Sequence, residues 1–179
     1  MFRIVKTGYI DMAHRIRGHS GPCQNIHGHT WKIELSVSCE DDKLNDLEMV
    51  VDFSVLKQEF FRHIDACFDH TCLFGKDDWK ALRALCEEPL YAGGTSPTFL
   101  KIQEALGVSR STHCKPRLGL HAVNFNVSAE RLAELFYGMA LRGLESEGSR
   151  IKVDYVRVYE QLHPTESYAE YRPTEETQC

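Results

Sequence analysis

Residues 30–37 alternate without a break. Trp31, Ile33, Leu35 and Val37 fall on one parity, and Thr30, Lys32, Glu34 and Ser36 on the other. Successive side chains of a strand point to opposite faces, so residues 27–38 read as a strand with one covered and one wet face. The strand opens on His27-Gly28-His29, and both imidazoles share the covered parity of Trp31. Residues 2–14 are also extended in character, with Phe2, Ile4, Ile10, Met12 and His14 on one parity. If the two stretches pair as a hairpin, His14 approaches the other two histidines. Three neutral imidazoles with an open fourth position describe a catalytic zinc site. A lone His-x-His is a weak signal, and the competing reading is three unrelated histidines, one in a turn and two half-exposed.

Further along, Asp52 can cap a helix over about 53–67, whose apolar face is Phe53, Leu56, Phe60, Ile64 and Cys67. Ser128 can cap a second helix carrying Leu132, Leu135, Phe136 and Met139 at helical spacing, with Glu130 in its first turn. Residues 151–160 and 167–172 read as two more strands, and residues 40–46 as a polar connection. The region 73–122 is less regular. Asp78 can cap a short helix through Cys86, Ser96-Pro97 can start another over Phe99–Leu106 that stops at Gly107, and Leu118–Phe125 fits a short strand. The order is strand, strand, helix, intermediate region, helix, strand, strand. One domain over residues 1–173, with a partly helical insertion at roughly 73–122 and a polar, flexible tail at 174–179, accounts for this order.

The net charge of −5 provides no basic field for nucleic acid, although a local cluster can still bind a small anion. No apolar run approaches the roughly 18 residues of a membrane helix, and no secretory apolar core follows Met1. The 7 cysteines are irregularly spaced without a CxxC pair, which suits a reducing, cytoplasmic setting.

Four more residues invite chemistry. Cys23 precedes His27 by four positions. Beside a bound cation its thiol would ionise more easily and could transfer protons; equally, it fits a fourth structural ligand or an inert packed thiol. In Asp69-His70 a carboxylate can fix the imidazole tautomer, although such neighbours also arise by chance. Glu160 ends a strand on the parity of Val156 and Val158, and needs a partner there unless the strand end is exposed.

Taken together, six blocks resemble the 6-pyruvoyltetrahydropterin synthase/6-carboxytetrahydropterin synthase family, closer to its carboxy branch. They are Asp11-Met12-Ala13-His14-Arg15, Cys23-x-x-x-His27-Gly28-His29, Met49-Val50-Val51-Asp52-Phe53-x-x-Leu56-Lys57, Phe68-Asp69-His70, Ser128-Ala129-Glu130-Arg131-Leu132-Ala133 and Val156-Arg157-Val158-Tyr159-Glu160. Each is weak alone; together, in this order, they are specific. The resemblance implies an α+β tunnelling fold, with a four-stranded antiparallel sheet backed by two long helices. Three subunits would close a barrel and two trimers would stack into a hexamer, with active sites between subunits. It also implies that His14, His27 and His29 hold Zn²⁺, and that Cys23, Asp69 and His70 transfer protons. Glu160 would anchor a pterin ring, at the opposite end of the substrate from the zinc. Ser128 would contact substrate from Asn126-Val127-Ser128, which lacks the proline of the family's Asn-Pro-Thr block.

The implied reaction converts 7,8-dihydroneopterin triphosphate to 6-carboxy-5,6,7,8-tetrahydropterin, releasing acetaldehyde and triphosphate. That product feeds 7-deazaguanine and queuosine synthesis. The alternatives are a 6-pyruvoyl synthase, which eliminates triphosphate without carbon–carbon cleavage, and a non-catalytic pterin-binding homologue. The region 73–122 is longer than in compact members, and its Cys86, His113, Cys114 and His121 match no common zinc spacing.

Overall fold

The structure is a computed structural model that describes residues 1–39, 41–78 and 120–174. Strand β1 (Arg3–His14) and strand β2 (His27–Cys39) form a long antiparallel hairpin, joined by a loop containing a short 3-10 turn, Pro22–Gln24. Helix α1 (Phe53–Leu56) runs through a wide π segment (Lys57–Phe61) into α2 (Arg62–Phe68). Strands β3 (Thr71–Gly75) and β4 (Leu120–Val123) follow, then helix α3 (Ala129–Gly143), β5 (Ile151–Gln161) and β6 (Ser167–Tyr171).

The strands form one six-stranded sheet in the order β4-β3-β1-β2-β5-β6. Its antiparallel part, β1-β2-β5-β6, is the four-stranded sheet anticipated from the sequence. The other two strands correct that expectation, because β3 runs parallel to β1 and β4 parallel to β3. Their signal is short: β3 pairs only Thr71, Cys72 and Leu73 with β1, and its adjacent Leu73 and Phe74 are both buried. A strand covered on both faces does not alternate. Of the region 73–122, the readings over Asp78–Cys86 and Phe99–Leu106 lie, beyond Asp78, outside the described residues.

One face of the sheet is covered by the helices. In the hairpin register Ile10 lies opposite Trp31 and Met12 opposite His29, so the buried parity of β1 meets that of β2. Leu56, Phe60 and Ile64 from the first helical segment pack on it with Leu132, Leu135, Phe136 and Met139 of α3. Each fully buried side chain of this size contributes about 1.5–3 kcal/mol, offset by the entropy of ordering the chain. Two glycines set the fit. A Cβ at Gly8 would lie 2.4 Å from the Phe61 ring, and one at Gly143 would lie 2.1 Å from the Glu59 carbonyl oxygen. The second contact is backbone against backbone, between α3 and the π segment.

The open face carries a buried polar cluster. Between Ser36 and Val37 the β2–β5 register slips, so Val153 and Val156 both reach the core. Asp154 is turned to the other side, where it accepts hydrogen bonds from Ser36 (3.0 Å), Ser38 (2.7 Å) and Arg3 (2.8 Å). A buried carboxylate with three donors is satisfied, so this cluster serves the sheet.

Candidate metal centre

His14 ends β1 directly opposite His27, which begins β2, and His29 lies opposite Met12. The hairpin register therefore gathers the three imidazoles on the covered face at one end of the sheet. Ring centroids are 4.6 Å apart for His14–His27, 4.9 Å for His27–His29 and 5.3 Å for His14–His29. Trp31 packs edge-on against His14 and His29, and its indole N–H donates to the Met12 carbonyl at 2.9 Å.

Two backbone carbonyls orient the rings. His14 Nδ1 donates to the Val127 carbonyl (2.7 Å) and His27 Nδ1 to the Asn25 carbonyl (2.8 Å). A carbonyl only accepts, so Nδ1 carries the proton and Nε2 keeps its lone pair; this is how ligating histidines are usually held. Nε2 of His14 and Nε2 of His29 are buried with no hydrogen-bond partner. Burial, followed by the neighbouring His14 and His27, lowers the pKa of His29 despite the opposing Glu160, which favours the neutral, ligating form.

Glu160 completes the group. The donor atoms of His14, His27, His29 and Glu160 all lie within 4.8 Å of one another. Glu160 Oε1 is 3.3 Å from His14 Nε2 and 3.5 Å from His29 Nε2. With bonds of about 2.0–2.1 Å, tetrahedral zinc ligands stand about 3.3 Å apart, so the donor set fits a metal ion. His14 first, then His29 and His27, hold the Glu160 carboxyl below its ordinary range against the effect of burial. The sequence reading set Glu160 far from the metal end of a substrate; in the structure it stands against the histidines. Its parity with buried Val156 and Val158 directs it to the covered face, and the β5–β6 register jump between Tyr159 and Gln161 leaves it as the bulged residue, unpaired with β6.

The remaining sequence candidates do not join this group. Cys23 is a half-buried free thiol on the 3-10 turn of the β1–β2 loop, and its carbonyl accepts from Ile16 N–H at 2.8 Å. The loop keeps it at the histidine end of the hairpin. Asp69 and His70 lie past the end of α2, where Asp69 Oδ2 accepts from His70 Nδ1 at 2.7 Å. That bond raises the pKa of His70. Asp69 is only partly desolvated, and the Asp11 N–H and His70 hold it below its usual value.

Ser128 is the N-cap residue of α3, but its side chain makes no capping bond, so its hydroxyl is not spent on the helix. Asn126, two residues before it, exchanges hydrogen bonds with the Arg17 backbone at 2.9 and 3.0 Å. The Asn126-Val127-Ser128 block is thereby tied to the loop after His14. Of Cys86, His113, Cys114 and His121, only His121 lies within the described residues.

A family model described as 6-pyruvoyl tetrahydropterin synthase matches residues 3–174. The chain belongs to this family. The 6-carboxy-5,6,7,8-tetrahydropterin synthase of Rickettsia typhi is 31% identical over 137 residues, covering 75% of this chain and 94% of that protein. The protein of the same name from Haemophilus influenzae is 41% identical over 75 residues, which span 41% of this chain and 53% of that protein. Among solved structures, an uncharacterised protein of Wolinella succinogenes superposes with a TM-score of 0.68 at 20% identity, covering 97% of this chain and 98% of the other. The 6-pyruvoyltetrahydropterin synthase of Plasmodium vivax gives 0.56 at 14% identity, covering 96% and 98%. The fold is thus the family's tunnelling fold, and the chain is an enzyme of the tetrahydropterin synthase type. No helix among the described residues is long and apolar enough to cross a membrane.

Proposed function

We propose that this enzyme is a zinc-dependent 6-carboxy-5,6,7,8-tetrahydropterin synthase acting on 7,8-dihydroneopterin triphosphate. The three gathered imidazoles, two of them oriented by backbone carbonyls and two with buried Nε2 atoms lacking hydrogen-bond partners, are the main structural support. The names of the relatives favour the carboxy branch. His14, His27 and His29 would hold the ion, which when bound supplies a Lewis acid that stabilises negative charge on the substrate's side-chain oxygens.

The chain's own groups do the rest. Glu160 offers a carboxylate to the amino and ring N–H donors of the pterin, and Ser128 presents a free hydroxyl. Cys23 and the Asp69–His70 pair move protons on and off the side-chain carbons. Triphosphate leaves, and carbon–carbon cleavage with one water, which supplies the second carboxyl oxygen, releases acetaldehyde. Product analysis after incubation with dihydroneopterin triphosphate is the test. A 6-carboxy product with acetaldehyde is expected. A 6-pyruvoyl product places the enzyme in the other branch, and no turnover by the metal-loaded protein overturns the enzymatic role.

A single chain does not bring the Asp69–His70 pair to the metal group, which supports a site shared between copies. The histidines occupy the helix-covered face, whereas Asp69 and His70 are anchored at the β1 edge by Asp11, whose side chain is on the open face. Exposed Val5, Tyr9 and Tyr168 lie on that open face too. Together with the family resemblance, this supports a homo-oligomer, and we propose a hexamer of two trimers. The free thiols of Cys23, Cys39, Cys67 and Cys72 support a cytoplasmic location.

Glu160 gives a prediction for ring recognition. Losing this charged hydrogen-bond pair should cost on the order of 2–4 kcal/mol, so Glu160→Ala is expected to weaken pterin binding roughly 30–1,000-fold. Glu160→Gln should be nearly as poor, because its amide turns a donor toward donors. Calorimetric titration with a reduced pterin checks this, and zinc content is measured alongside because Glu160 touches His14 and His29. Wild-type affinity in both variants would remove Glu160 from the pterin site.

A further inference from the structure

The Asp69–His70 pair is held in place largely by one residue to which no role has yet been given. Asp11 N–H donates to Asp69 Oδ1 at 2.9 Å, and the Asp11 carbonyl accepts from His70 N–H at 2.7 Å. Its own carboxylate accepts from the Thr30 hydroxyl at 2.6 Å across the β1–β2 ladder. Asp11 thus touches both members of the pair through its backbone, and its side chain is braced from the neighbouring strand.

The backbone at His70 shows why bracing is needed. Its φ is +56°, a left-handed conformation that a non-glycine residue adopts at some cost. The bond to the Asp11 carbonyl and the Asp69–His70 side-chain bond hold that conformation. The turn lies where the parallel β1–β3 ladder begins, at Met12 opposite Thr71. On its helix side, Asp69 N–H bonds to the Asp65 carbonyl, and the Thr71 hydroxyl donates to the Phe68 carbonyl at 2.6 Å. The His70 ring itself is largely exposed and free to meet a substrate.

Resting on the assignment of the pair to proton transfer, we propose that Asp11, braced by Thr30, is the positioning residue for Asp69 and His70. Its charge adds to that of Asp69 in favouring protonated His70. Among the described residues, the charged groups acting on this imidazole are Asp69 in direct contact and Asp11 on β1; Asp65, a turn earlier on α2, interacts with Asp69, and Thr30 on β2 is uncharged.

The experiment uses the full-length, zinc-loaded enzyme with Asp11→Asn and Thr30→Val. The first keeps both backbone bonds and removes the charge; the second removes the brace and keeps the shape. The His70 imidazole is titrated by NMR, and kcat and KM are measured against pH. In Asp11→Asn, His70 should titrate at lower pH, and the limb of the kcat profile that it governs should move the same way. In both variants kcat should fall about tenfold at unchanged KM and zinc content, the scale of a lost orienting partner. A wild-type His70 titration in Asp11→Asn with a wild-type kcat profile in both variants overturns the proposal. His70→Ala is run in parallel. If it keeps full turnover, the proton-transfer assignment fails, while a shifted His70 titration in Asp11→Asn still supports Asp11 as the group that sets the pair.

Discussion

His27→Ala and His29→Ala are each expected to lose bound zinc. The metal group offers three imidazoles and one carboxylate, and each variant takes away one imidazole. With Glu160 given to the pterin, each variant leaves two imidazoles, and Zn²⁺ is rarely held by only two protein ligands. Losing an outer hydrogen-bond partner of a ligand already costs about 10–100-fold in metal affinity, and losing a ligand should cost more. Elemental analysis after dialysis against a weak chelator gives the answer. Circular dichroism shows whether the fold persists, and it should, because Trp31, Ile33 and Leu35 are buried in the core between the sheet and the helices. Full zinc occupancy in both variants would mean that the ion is held elsewhere.

The second large effect concerns Cys23. Cys23→Ala should keep its zinc, since the thiol is not among the gathered donor atoms. Turnover should nevertheless fall roughly 10²-fold or more, the usual scale for a lost general acid–base group. His70→Ala should behave alike. Because one chain does not bring the pair to the histidines, the two variants should also rescue each other. When they are unfolded together and refolded as mixed oligomers, some sites combine an intact Cys23 from one chain with an intact His70 from another. Activity that neither parent shows is the expected result. If zinc is lost from Cys23→Ala, the thiol is a structural ligand. If mixing restores nothing while both variants assemble, all the proton-transfer groups belong to one chain.

Both predictions begin from features visible in the linear chain. The alternation from Thr30 to Val37 marked β2, and its parity placed His27 and His29 on the covered face. The apolar spacing of Leu132, Leu135, Phe136 and Met139 marked α3, where all four residues are buried. Local patterns also singled out Cys23, Asp69, His70, Glu160 and Ser128, but family resemblance gave them their roles, because those depend on partners that no local pattern names.

What the sequence determined by itself was periodicity and side-chain chemistry: which face of each long element is apolar, and which residues can bind a metal or carry a proton. Those properties are local, because a strand or helix displays them whatever it packs against. Tertiary structure alone decided the pairings. The parallel entry of β3 beside β1 was invisible, since a short strand buried on both faces has no alternation. The slip that turns Asp154 to the open face and the bulge at Glu160 were invisible as well, because register depends on the neighbouring strand. The partners of His14 and His27 were the most hidden, since the carbonyls of Val127 and Asn25 belong to the backbone. Every residue has such a carbonyl, and only the folded chain selects which one faces an imidazole.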